Sequence, residues 1–124
     1  MPSVRVYVRP DVARGLDTET SLKLLRELRM RVAEVLHHEH RMVEAFMIKV
    51  DHCIDLPPLS VEIMYSVRPG LQPDEDARER LANDVVAMVT NFDWLPVTVD
   101  SVAVWVLPQH EAKFVLEKRI VTTQ

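Results

Sequence analysis

Pro2-Ser3-Val4-Arg5-Val6-Tyr7-Val8-Arg9-Pro10 is the stretch that decides the fold. Val4, Val6 and Val8 alternate with Ser3, Arg5 and Tyr7, which is the two-residue period of a strand with one apolar face. Pro10 removes a backbone donor and ends the run. The ending recurs later, where Val8-Arg9-Pro10 is echoed by Val67-Arg68-Pro69. A duplicated unit would produce that echo, and so would chance.

Working outward, Leu22, Leu25, Leu28, Val32, Val35 and Leu36 return at helical spacing and predict a helix from residue 18 to about 38, with Asp17 or Thr18 placed to cap it. A second strand is predicted over 46 to 50, and the polar, proline-containing residues 51 to 58 close the first half. The pattern then restarts. Residues 59 to 67 predict a third strand, with Val61, Ile63, Tyr65 and Val67 on one face and Glu62, Met64 and Ser66 on the other.

Pro73 and Asp74 open a second helix, which carries Ala77, Leu81, Val85, Met88, Val89 and Phe92 on one side and stops near Asn91. Its acidic first turn, Asp74, Glu75 and Asp76, complements the helix dipole. A fourth strand is predicted over 102 to 107, with a short extension around 114 to 116. The order is βαββαβ. It predicts one α/β (α+β) domain over residues 1–124, a two-layer sandwich built from halves of about 1–58 and 59–124.

Each half is long enough for a right-handed crossover, which makes its two strands parallel. Two arrangements fit this order. In the ferredoxin-like one the βαβ units are split, and the domain serves as a binding or regulatory module. In the other, two intact units join about a pseudo-twofold, giving a four-stranded mixed sheet with two helices on one face. The bare face, with Arg5, Tyr7, Met64 and Ser66, then needs cover from other subunits.

Composition narrows the function. A chain of 124 residues that is 48% hydrophobic closes a core without metal or disulfide help. A net charge of -4 argues against nucleic acid as a partner, because such readers gather a basic face. The lone Cys53 cannot form an internal disulfide, and the start has no apolar signal core, so the cytoplasm is expected. No apolar run reaches the roughly 20 residues of a membrane span. Gly15 and Gly70 cannot make a phosphate-cradling loop.

Pro2 is the candidate for chemistry. Removal of Met1 would expose a secondary amine at the start of a strand. A free α-amine titrates nearer neutrality than lysine, and desolvation or a neighbouring arginine lowers it further, so it can serve as a general base. The plainer alternative is that proline at position two is common and inert.

Pro2 leading into an alternating strand of a βαββαβ chain resembles the tautomerase superfamily, over nearly the whole chain in order. Met1-Pro2-Ser3-Val4-Arg5 and Val61-Glu62-Ile63 also resemble a branch of that superfamily which is a domain family of unknown function. The resemblance implies a tautomerase-like two-layer sandwich, a proline-led site for keto-enol tautomerisation of a small α-keto or enol acid, no cofactor, and a homotrimer with pockets between subunits. It brings no substrate of its own. The alternative is a non-catalytic α/β oligomer that binds a small ligand or serves assembly.

Arg5 and Glu62 share parity when the halves are aligned on the Val-Arg-Pro echo. They are expected either to pair at a subunit interface or to lie beside the substrate, with Glu62 handling a second proton. Arg9 stands near where characterised members of the superfamily keep a substrate-gripping loop arginine, and a guanidinium fork suits a carboxylate. A solvated loop arginine is the other reading. Met47 departs from the 4-oxalocrotonate branch, which has an arginine there. Trp105 is expected in the core or an interface, or as an apolar wall around Pro2.

His37, His38 and His40, with Glu34 one turn earlier, invite a metal reading through their spacing. They lack a convincing ligand set, and histidines at a helix C-terminus complement its dipole, so no metal is expected. Cys53 has no motif around it and reads as a packed thiol.

Overall fold

A computed structural model describes residues 2–66, 72–92 and 102–108. Strand β1 (Ser3–Val8) is followed by a short helix α1 (Pro10–Ala13), the long helix α2 (Thr18–Val35), a 3₁₀ turn (His40–Met42), β2 (Glu44–Lys49), β3 (Leu59–Tyr65), α3 (Glu75–Thr90) and β4 (Val102–Pro108). The predicted βαββαβ order is present. Val67, the Arg68-Pro69 part of the echo, Gly70 and the extension around 114 to 116 lie outside the described residues.

The strands lie in the order β2-β1-β3-β4. β1 is parallel to β2, β3 is parallel to β4, and the two pairs meet at an antiparallel β1–β3 seam. In a split unit a strand of the other half would separate β1 from β2. Here they are direct neighbours, which removes the ferredoxin-like alternative.

One face of the sheet is dry. Val4, Val6 and Val8 from β1 and Leu59, Val61 and Ile63 from β3 are all 0% exposed and pack with Leu24, Leu28, Val32, Leu81, Val85 and Val89 of the helices. Val102, Val104 and Val106 of β4 and Ala45 and Met47 of β2 complete that layer at its margins. α2 lies on β2 and β1, and α3 lies on β4.

Capping fixes where the helices begin. The Asp17 carboxylate accepts from the Thr20 N–H at 2.7 Å, and the Asp74 carboxylate accepts from the Ala77 N–H at 2.8 Å. The far end of α2 comes earlier than expected. His37 adopts φ 57, its N–H reaches the Glu34 carbonyl at 3.4 Å, and the His38 N–H reaches the Ala33 carbonyl at 2.9 Å. That double bond pattern is a Schellman ending with histidine in the place usually held by glycine. α1 was not anticipated, although Pro10 at its first turn and Asp11 beside it are start signals.

The buried face of α2 also differs from the expectation. Leu22 is 46% exposed, whereas Leu24 is 0% exposed. Leu24, Leu28 and Val32 form the central stripe at four-residue spacing, and Leu22 falls one step off it. Leu24→Ala should therefore destabilise the fold by roughly 2–5 kcal/mol, while Leu22→Ala should change stability by about 0.5 kcal/mol or less. Urea unfolding of the two variants measures both, and equal losses would mean the helix is rotated.

Candidate functional site

The sequence candidates fall at three places on β1 and its neighbours. Arg5 and Glu62 are register partners across the β1–β3 seam, Phe46 is Arg5's partner on β2, and Trp105 is Glu62's partner on β4. Phe46, Arg5, Glu62 and Trp105 thus form one row across the face that the helices leave bare. Arg5 Nη1 and Glu62 Oε1 are 3.6 Å apart, and the guanidinium carbon lies 5.6 Å from the centre of the Phe46 ring. Trp105 at 45% and Phe46 at 38% exposure flank the ion pair with apolar surface.

Arg9 sits beyond the opposite end of β1 from Pro2. Its fork is engaged by Asp11, with Nε to Oδ1 at 2.8 Å and Nη2 to Oδ2 at 2.7 Å. Its Nη1 also donates to the Leu56 carbonyl at 3.3 Å, and its backbone N–H donates to Pro58 at 3.1 Å. Arg9 is therefore a clasp that ties the connection after β2 to the end of β1.

Pro2 stands apart from all four residues. It is buried, and its carbonyl accepts from the Glu44 N–H at 3.1 Å. Strand alternation puts its ring on the side of Val4 and Val6, under the helices, and so on the face opposite Arg5 and Trp105. Within one chain, Pro2 is not brought together with Arg5, Arg9, Glu62 or Trp105.

Sequence reasoning missed what does gather at the Pro2 end. β3 finishes there with Tyr65, which is 6% exposed, and Arg78 Nη1 donates to the Tyr65 hydroxyl at 3.4 Å. α2 ends and α3 begins at the same edge, and a concavity of about 390 Å³ between them is lined by Leu36, His37, Pro73, Asp74 and Arg80, among others. Nothing in spacing links Tyr65 to Arg78.

Among the described residues no group of three or more His, Cys, Asp or Glu side chains is placed to hold a metal, and no helix is long and apolar enough to cross a membrane. Cys53, expected as a packed thiol, is exposed, because residues 51 to 55 run along the surface.

No family model matches this chain, and no curated protein matches it. Solved structures do. N1, a member of the cis-3-chloroacrylic acid dehalogenase family, superposes with a TM-score of 0.64 at 18% identity, covering 86% of this chain and 73% of that one. A wild-type fused 4-OT, solved as a symmetric trimer, gives 0.63 at 14% identity over 84% and 82%. The macrophage migration inhibitory factor-like protein of Entamoeba histolytica gives 0.62 at 10% identity over 86% and 87%.

The chain has the tautomerase fold. At these identities the likeness is one of architecture, and it agrees with the two neighbouring parallel pairs meeting at an antiparallel seam.

The Arg9 clasp has a pH signature. Its hydrogen bond to Arg9 holds the Asp11 carboxyl down at about 2. A carboxyl lowered in the folded state adds stability that is complete above its ordinary value near about 4 and is lost as pH falls through the lowered one. Carbon NMR of the Asp11 carboxyl should show a midpoint near 2, and the stability gap between native and Asp11→Asn protein should close between about pH 4 and that midpoint. A midpoint near about 4 would mean that the clasp is open in solution.

Proposed function

We propose that this chain is a tautomerase-like protein in which Pro2, once Met1 is removed, serves as the general base on a small α-keto or enol acid. The carrying observation is a buried proline at the start of a central strand of a tautomerase fold. In this reading Pro2 takes the enol hydroxyl proton, the oxygen's electron pair becomes the ketone, and a proton is returned to the neighbouring carbon. The balance closes with no cofactor or co-reactant. The Met1-Pro2-Ser3-Val4-Arg5 start and Val61-Glu62-Ile63 support placing it with the branch of unknown function, acting in the cytoplasm.

The same reading includes a homotrimer. The row Phe46, Arg5, Glu62 and Trp105 offers a half-buried ion pair between two exposed aromatic rings, a surface that gains by being covered. Two fused 4-OT neighbours were solved as trimers. Assembly is also the only way for Arg5, Arg9, Glu62 or Trp105 to reach a substrate at Pro2, because each would have to act across a subunit boundary.

A second reading, a non-catalytic oligomer that uses this face for assembly or small-ligand binding, is favoured by one observation. The guanidinium groups of Arg5 and Arg9 are already paired with Glu62 and Asp11.

Intact mass of the protein from its host should lack the initiator methionine, and a retained Met1 leaves no amine base. Ketonisation of phenylpyruvate enol or 2-hydroxymuconate should then fall by roughly a hundredfold or more in Pro2→Ala. Equal rates in the two proteins would select the non-catalytic reading. Light scattering should give three times the 14.3 kDa chain mass, with Trp105→Glu shifting it toward one. A stable native monomer would count against the shared pocket.

A further inference from the structure

Helix α2 carries two arginines that no carboxylate among the described residues neutralises. Side chains three and four residues apart on a helix are neighbours. Arg31 has Glu27 and Glu34 at those distances, with Glu34 Oε2 3.9 Å from its guanidinium. Arg26 and Arg29 have only apolar or basic residues there, and each has the other as a like-charged neighbour. Such a pair costs stability unless an anion lies against it. The elements beside α2 do not supply one: Glu44 of β2 shares the parity of Phe46 and so lies on the other face of the sheet, and Glu39 is held by Arg41.

The two arginines line a groove between α2 and β2. It has a volume of about 260 Å³, and Leu22, Leu25 and Ala45 complete its lining. Arg29 Nε is buried, and among the described residues it has no hydrogen-bond partner. A charged donor withdrawn from water and left unpaired costs more than an ordinary lost hydrogen bond. Leu22, at 46% exposure, sets apolar surface beside the charges. The strand adds a further donor. β2 is an edge strand among the described residues, and the N–H groups of Glu44 and Val50 point toward β1. The alternation of a parallel ladder therefore directs the Ala45 N–H off the open edge.

We infer that the α2–β2 groove is a binding site for a small organic acid with a short apolar tail, its carboxylate held by Arg26 and Arg29 and its tail against Leu22 and Leu25. A carboxylate brings acceptor oxygens and a negative charge. It gives Arg29 Nε the acceptor it lacks and relieves the repulsion between the two guanidinium groups. The groove is slightly smaller than the roughly 300 Å³ at which drug-sized pockets begin, which suits an acid of a few carbons. The site rests neither on Pro2 as a base nor on assembly.

The test titrates hexanoate, its neutral amide and acetate into the full chain at fixed ionic strength, followed by two-dimensional NMR. Hexanoate should shift the Ala45 amide and the Leu22 and Leu25 methyl signals saturably, and should bind more tightly than hexanamide or acetate. Arg29→Met should weaken hexanoate binding roughly tenfold and leave the amide unchanged. Arg26→Met should lose several-fold, and Arg29→Lys should recover part of the loss. Leu22→Ala should weaken acid and amide alike. Arg31→Met, on another flank of α2, should bind as native does.

An absence of saturable shifts at Ala45, Leu22 and Leu25 in the native protein would overturn the site. So would native affinity for hexanoate in Arg29→Met, an equal loss of acid and amide in that variant, or acetate bound as tightly as hexanoate. If Arg29→Met does not fold, Arg26→Met and Arg29→Lys decide, and native affinity in both is the contrary result.

Discussion

The antiparallel hydrogen-bonded seam between β1 and β3 is the constraint on which the rest of the molecule depends. Because side chains alternate along a strand, fixing Val4 against Ile63 and Val6 against Val61 decides the face of every other residue on both strands. A slip of one residue would turn the buried valines to the open side and draw Arg5 and Glu62 under the helices. Burying that pair against a valine and leucine layer would be costly. The register is therefore set by desolvation as much as by apolar gain.

The same alternation sorts the charged residues into three groups with different tasks. Arg5 belongs to a row on the face away from the helices, where Glu62 and the Phe46 ring lie against it. Arg9 belongs to a clasp at the far end, where Asp11 and two backbone carbonyls use its donors. Arg78 comes from α3 to the near end and meets a phenol rather than a carboxylate. The first two arginines already have partners. The third reaches the end of the sheet where β1 begins.

Much of this was legible in the sequence because it depends on short-range periodicity. The alternation through Val4, Val6 and Val8, the second alternation through Val61 and Ile63, and the caps Asp17 and Asp74 are local signals, and each of those elements begins where they predict it. The pairing of Arg5 with Glu62 was legible from parity alone. Leu22 and Leu24 were not separable, because Leu22, Leu24 and Leu25 are all apolar and the rotation of α2 is fixed by the sheet beneath it. The Tyr65–Arg78 contact was invisible because it spans the end of a strand, a connection and the second turn of a helix. No period or motif connects those two positions.

The most direct measurement on the central claim is a nuclear Overhauser experiment on the native chain, read from the Pro2 ring protons. The seam described here predicts strong cross-peaks to the Tyr65 ring and to Val43, which shares that end of the covered face. Cross-peaks instead to Met64 or Leu107, on the opposite face of the sheet, would mean that β1 enters the sheet in a different register, and the placement of Pro2 opposite Tyr65 would be wrong.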